Sequence, residues 1–213
     1  DPEDDETKLV ERRMWEKIRE KTLQGRRTGI GITAEGDMLA ALGLRYGTDE
    51  ATDFSVEVHK LLATEVYRSS VTLAAERGKF PVFDYEKEKN NPFIQRIGSV
   101  DPTILEEMKK HGRRNIALLT IAPTGSVSIC TQTSSGIEPV FMPAYKRRRK
   151  VNPNDKDVKI TFVDDTGDSW EEYNVFHPKF LTWLEINGHN PTAVKDYPDE
   201  ELQKLVRKSP YFK

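Results

Sequence analysis

The residues best suited to chemistry lie in Ala122-Pro123-Thr124-Gly125-Ser126-Val127-Ser128, where a glycine sits among three small hydroxyl side chains. An apolar run, Asn115 to Ala122, leads directly into it. Such a turn can aim successive backbone N–H groups at a phosphate, with the hydroxyls donating further hydrogen bonds and the glycine allowing close approach. An ordinary strand-to-helix turn with a serine cap has the same spacing, and spacing alone favours it. Gly29-Ile30-Gly31-Ile32-Thr33-Ala34 carries the letters of a dinucleotide-binding fingerprint. That chemistry needs a strand before the glycines, and a charged helical segment with Arg26-Arg27 comes first. The stretch reads as a glycine-rich joint between two helices.

Lys146-Arg147-Arg148-Arg149-Lys150 could bind phosphates or act as an import patch, but a solvated hairpin strand is the simpler reading. His59, His111, His177 and His189 share no metal-ligand spacing, and each fits a helix face or helix end. Asp164-Asp165 before Gly167 reads as a polar loop rather than a divalent-ion site. Cys130 is the only cysteine, so it forms neither an intramolecular disulfide nor a Cys-rich zinc site. It reads as a buried structural thiol in a reducing compartment, the cytoplasm by default. No catalytic residue and no metal ligand is assigned.

These candidates sit in a chain of 213 residues, enough for one sizeable domain or two small ones. The formal net charge of -2 disfavours a globally basic nucleic-acid binder. No apolar run approaches the ~20 residues that cross a bilayer. The opening Asp1-Pro2-Glu3-Asp4-Asp5-Glu6 lacks the pattern of a secretion signal. Only 36% of residues are apolar. Either much of the chain is surface, or part of its core is supplied from elsewhere.

Periodicity predicts the elements that must position the turn. Leu9, Val10, Met14, Trp15 and Ile18 mark an amphipathic helix from Thr7 to about Gln24, with Gly25 at its end. A second helix spans Thr33 to Leu42, and a long third one starts near Thr48-Asp49-Glu50 and stops at Gly78. Pro81 to Gly98 reads as loop. Asp101-Pro102 opens a helix that Gly112 closes. Asn115 to Ala122 lacks alternation, which predicts a strand covered on both faces. Tyr145 to Val151 and Val158 to Val163 read as a hairpin across Asn152-Pro153-Asn154-Asp155. Helices beginning at His177-Pro178 and Pro198 complete the chain. The organisation expected is thus a helical part at 1–112, strand and turn at 113–143, hairpin at 144–176 and a helical tail at 177–213.

Two long motifs resemble the large catalytic subunit of ribonucleotide reductase. Gly25-Arg26-Arg27-Thr28-Gly29-Ile30-Gly31, continuing through Asp37 to Ala51, is similar to a helix region of that family's barrel. Ile121-Ala122-Pro123-Thr124-Gly125-Ser126, continuing to Ser134-Ser135-Gly136-Ile137-Glu138-Pro139, is similar to its substrate-phosphate loop and the turn beyond. The loop wording and the tail from Val175 to Tyr211 resemble most the adenosylcobalamin-dependent branch, class II. The resemblance implies an α/β fold, a partial segment of a ten-stranded α/β barrel, mostly helical with a few strands and a hairpin. It implies thiyl-radical reduction of ribonucleotides, with Pro123, Thr124, Gly125, Ser126 and Val127 holding the substrate phosphates. The implied partners are a ribonucleotide, the remainder of the barrel, a thiol reductant system and a second copy of the parent, with adenosylcobalamin as cofactor. No membrane or nucleic-acid partner is implied. The family's radical cysteine lies in an Asn-x-Cys-x-Glu setting that this sequence does not contain, and Cys130 matches none of its catalytic cysteines. This chain alone is therefore expected to be inactive. A class I large subunit and a non-enzymatic α/β module binding anions through Lys146 to Lys150 are the alternatives.

Overall fold

The computed structural model describes residues 3–152, 154–155 and 157–212. Six helices come first, α1 (Asp5–Gly25), α2 (Glu35–Ala41), α3 (Asp49–Arg77), α4 (Tyr85–Glu88), α5 (Pro92–Val100) and α6 (Pro102–His111). Then follow α7 (Gly125–Thr131), β1 (Ala144–Lys150), β2 (Phe162–Val163), β3 (Ser169–Phe176), α8 (Pro178–Ile186), α9 (Pro191–Val194) and α10 (Asp199–Lys208). Contacts divide them into two compact units, Asp1–Gly31 with Phe54–Ile121, and Ile32–Asp53 with Ala122–Lys213.

In the first unit, α1 starts where the Asp4 carboxylate accepts the Thr7 N–H at 2.8 Å, and Asp5 and Glu6 complement the helix dipole. It ends at Arg26, whose left-handed backbone turns its N–H onto the Thr22 carbonyl at 2.7 Å. The expected apolar stripe forms, but none of α1 is buried, and Val10 and Trp15 are each more than 60% exposed. The loop expected from Pro81 to Gly98 is instead largely helical, in α4 and α5. Asn91-Pro92 is a helix start, with the Asn91 side chain accepting the Phe93 N–H at 2.9 Å. Ile94 and Ile97, three residues apart, are buried beneath it. Asp101 closes α5 and opens α6, accepting the Thr103 N–H at 2.9 Å and an Arg68 N–H at 2.7 Å. Around these helices Tyr67, Val71, Phe80, Phe83, Ile94, Ile97, Ile104, Met108 and Leu118 form one core. Arg113 is buried beside it, forked onto Glu88 and donating to the carbonyls of Asn115 and Ile116. That geometry suits a planar guanidinium.

The run after α6 is extended and pairs in parallel with the glycine stretch. Thr28 N–H reaches Ala117 O at 2.9 Å, Ile30 N–H reaches Leu118 O at 2.7 Å, and Thr120 N–H reaches Ile30 O at 3.0 Å. Two expectations change here. Gly29 to Gly31 is a strand-like partner rather than a joint between helices, because a Cβ on Gly31 would lie 2.2 Å from the Thr120 carbonyl oxygen. The run is covered along its length but bare at its end, with Leu118 buried, Ile116 and Leu119 packed on the core, and Ile121 66% exposed.

In the second unit the sheet order is β1-β3-β2, all antiparallel, with Ala144 opposite Phe176 and Lys150 opposite Trp170. The hairpin expected between Tyr145 to Val151 and Val158 to Val163 is therefore corrected. The partner of β1 is Ser169–Phe176, and only Phe162–Val163 of the expected second strand is paired, to β3 rather than β1. Charge selects this register: Glu171 and Glu172 face Arg149 and Arg148 directly, which stabilises opposed side chains on neighbouring strands. Of the residues expected to link the hairpin, Pro153 lies outside the described residues. Helices α8 and α10 start at His177-Pro178 and after Pro198 as the sequence predicts, and a short α9 lies between them. Phe180, Leu184, Val194, Leu202, Leu205 and Val206 pack on Ala144 as a second core.

Candidate functional site

The turn singled out in the sequence belongs wholly to the second unit. Thr124 adopts the left-handed conformation at φ 50°, and Gly125 begins α7. The first N–H groups of a helix have no carbonyl four residues back. In α7 the first to find one is Ser128, which reaches Thr124 O at 2.8 Å. The N–H groups of Gly125, Ser126 and Val127 thus lie at the positive end of the helix, where an anion is favoured. No serine cap forms, since Thr124 holds the cap position and its side chain makes no cap hydrogen bond. A Cβ on Gly125 would meet nothing within 4 Å, so packing inside the chain does not demand glycine there.

What holds the turn comes from two other segments. The Thr124 hydroxyl accepts the Gly136 N–H at 2.7 Å and lies 2.9 Å from the Thr33 hydroxyl. Thr33 in turn donates to Ser134 O at 3.3 Å. Glu35 N–H reaches Gly136 O at 3.3 Å, and a Cβ on Gly36 would sit 2.6 Å from Pro139 Cα, so the 134–139 turn lies directly on the start of α2. Ala34, like Thr124, is left-handed, at φ 68°. Two non-glycine residues in that conformation cost on the order of 1–3 kcal/mol each and persist only where neighbours over-determine them.

Behind this turn lies a buried polar cluster centred on Asp37. Its Oδ1 accepts from His177 Nε2 and from the Tyr211 hydroxyl, each at 2.8 Å. Its Oδ2 accepts the Ser134 N–H at 2.8 Å, while the Asp37 N–H donates to Ser134 Oγ at 3.2 Å. Burial works to raise the carboxyl's pKa, but hydrogen bonds from His177, Ser134 and Tyr211 outweigh it and hold the group below its ordinary value. Asp37 is therefore ionised and can only accept, so His177 carries its proton on Nε2. Burial, and then the neighbouring carboxylate, push the Tyr211 hydroxyl far above its usual range.

The other candidates fall away from this site. Cys130, expected to be buried, is exposed, because no residue of α7 is buried. Lys146, Arg148, Arg149 and Lys150 on β1 are ion-paired with Asp199, Glu172, Glu171 and Asp168. That is the expected solvated strand. Asp164 organises its own turn, accepting from Thr166, Asp168 N–H and the Trp170 indole. Among the described residues no cluster of His, Cys, Asp or Glu could hold a metal ion, and no helix is long and apolar enough to cross a membrane. Sequence reading missed Asp37, His177 and Tyr211 as a cluster. Its only local trace is the Ser134-Ser135-Gly136 turn, since His177 and Tyr211 lie 140 and 174 residues from Asp37.

A short parallel pair in the first unit, a glycine-serine turn and a small open sheet in the second, and a mostly helical remainder are the elements of a partial α/β barrel. The family model for the ribonucleotide reductase barrel domain matches residues 7–187, and the chain belongs to that family. It is similar to the vitamin B12-dependent ribonucleoside-diphosphate reductase of Mycobacterium tuberculosis, 30% identical over 139 residues, 65% of this chain and 17% of the relative. The enzyme of the same description from Thermoplasma acidophilum is 34% identical over 134 residues, 62% of this chain and 15% of the relative. Ribonucleoside-diphosphate reductase subunit alpha of Treponema pallidum is 27% identical over 128 residues, 59% and 15% respectively. The chain thus spans no more than about a sixth of the length of these curated relatives.

Proposed function

We propose that this chain is a segment of the catalytic chain of a ribonucleotide reductase, and that Pro123 to Val127 holds the substrate's phosphates. The observation that carries the reading is the row of N–H groups from Gly125 to Val127 at the start of α7, behind a left-handed Thr124. A ribonucleoside diphosphate is the substrate class, as the relatives' names indicate. The segment contributes binding and orientation of the diphosphate. The parent's thiyl radical, and the cysteine pair that a thiol reductant system restores, belong to parts outside this sequence. On this reading the chain works in the cytoplasm, joined to the remainder of the barrel and within a homodimer of the parent.

Two relatives described as vitamin B12-dependent, together with the Ala-Pro-Thr-Gly-Ser wording, support an adenosylcobalamin-dependent parent. No residue of this segment is assigned to that cofactor. The Treponema pallidum relative keeps a class I large subunit as the second reading. An anion-binding module built on Lys146 to Lys150 is disfavoured, because Asp199, Glu172, Glu171 and Asp168 already pair four of those five cations.

The test is steady-state kinetics on the full-length parent. Gly125→Val, which crowds the anion, is expected to raise KM for the nucleoside diphosphate strongly. Ser126→Ala should do less, since one hydroxyl hydrogen bond contributes roughly 0.5–3 kcal/mol, the upper end applying to a charged partner. Neutralising Lys146 to Lys150 should change mainly the salt dependence. Unchanged saturation with Gly125→Val, alongside loss of saturation on neutralising the basic strand, would move the phosphate site to β1.

A further inference from the structure

We propose that Asp37 is a positioning residue for the phosphate loop, acting through Ser134 and Thr33 on the Thr124 hydroxyl. The inference rests on Pro123 to Val127 being that loop.

Each hydroxyl in the relay has one proton to give and can accept as well. Thr33 bridges the Ser134 carbonyl at 3.3 Å and the Thr124 hydroxyl at 2.9 Å, a contact in which either hydroxyl can be the donor. Thr124 also accepts the Gly136 N–H at 2.7 Å. The hydroxyl is thereby held between two partners inside the protein, and the side chain is a strut that fixes the left-handed turn. This departs from the simple picture in which every hydroxyl of the loop faces the phosphate.

The strut is only as well placed as Ser134, which Asp37 grips twice, accepting its N–H at 2.8 Å and donating to its hydroxyl at 3.2 Å. Asp37 is itself immobilised, its side chain only 9% exposed, by His177 from the start of α8 and by Tyr211 from beyond α10. Three segments of the second unit therefore converge on the carboxylate carried by a fourth, and its placement passes through two hydrogen-bonded residues to Thr124 in the loop. A diphosphate bound by backbone N–H groups depends on such placement, because these donors cannot adjust without moving the chain.

Titrating the chain with inorganic pyrophosphate, followed by the amide resonances of Gly125, Ser126 and Val127, tests the proposal. Thr33→Val keeps the side chain's shape but cuts the relay, and is expected to weaken binding roughly tenfold, equivalent to about 1.4 kcal/mol. Thr33→Ser restores the hydroxyl and should restore affinity. Asp37→Asn substitutes one acceptor by a donor and should weaken binding in the same direction, with native chemical shifts retained in the α8–α10 core. Wild-type affinity in both Thr33→Val and Asp37→Asn overturns the inference, as does a Thr33→Ser variant that binds no better than Thr33→Val. A wild-type chain whose loop amides ignore pyrophosphate overturns the loop assignment itself, and this inference with it.

Discussion

Asp101 and Asp164 hold turns together by accepting several hydrogen bonds apiece, and each carries a titration signature. The Thr103 hydroxyl and then Arg68 hold the Asp101 carboxyl down at about 2. The Thr166 hydroxyl and then the Trp170 indole hold Asp164 at about 2. Asp37 is lowered as well. A carboxyl whose folded pKa lies below its unfolded value of 3.8 stabilises the fold above that value, and the contribution is lost as pH falls toward the folded pKa. Thermal melting is therefore expected to hold level from neutral pH down to about pH 4 and then to fall steeply toward about pH 2. An Asp101→Asn chain should melt lower near neutral pH and show a shallower acid limb. A melting temperature that rose on acidification through this window would contradict the assignment of these acceptors.

At the scale of elements, two glycines in the matched motifs do opposite jobs. Gly31 lets two extended segments approach, since a Cβ there would stand 2.2 Å from the Thr120 carbonyl oxygen. Gly31→Ala is expected to cost about 1–3 kcal/mol by overpacking, and to do so without any ligand present. Gly125 has open space in front of it. Gly125→Ala should leave stability unchanged or raise it by roughly 0.4–1 kcal/mol, through a less flexible unfolded chain. Denaturant unfolding of the two variants separates a glycine kept for packing from one kept for an incoming anion. Equal destabilisation of both would mean that Gly125 also serves the fold. The sheet shows the same division of labour. The cations of β1 are largely neutralised by acids of β3 and α10, which frees the strand from any need of an anionic ligand.

For the molecule as a whole, the chain's lean apolar content and its coverage of about a sixth of its relatives agree with its exposed surfaces. Leu9, Val10, Met14, Trp15 and Ile18 form an exposed stripe on α1, and Ile121 is bare at the end of the parallel pair. Apolar faces and unpaired strand edges of this kind favour association. Sedimentation of the isolated chain is expected to show concentration-dependent association, reduced in a Val10→Lys/Trp15→Lys double variant. A monodisperse monomer at all concentrations would show that these faces need no cover. The purified chain is also expected to reduce no ribonucleotide when supplied with adenosylcobalamin and a dithiol, since it lacks the Asn-x-Cys-x-Glu setting. Any turnover would place the radical chemistry on Cys130, the only thiol present.

Local chemistry is what the sequence determined by itself. Asp and Pro at helix starts, Gly at helix ends and three- and four-residue apolar spacing located α1, α3, α6, α8 and α10, and the motif from Ile121 to Pro139 marked the family. Those signals act within a few residues of chain, so they survive without knowledge of the fold. Tertiary structure decided which strands pair and what surrounds the loop. Lys146 to Lys150 paired with Ser169–Phe176, where two glutamates stand opposite two arginines, and Gly29 to Gly31 became an extended, bridged segment because Ala117 to Thr120 came alongside. The Asp37 cluster was illegible for the same reason. A carboxylate, an imidazole and a phenol scattered over 174 residues acquire meaning only when folding removes water from between them.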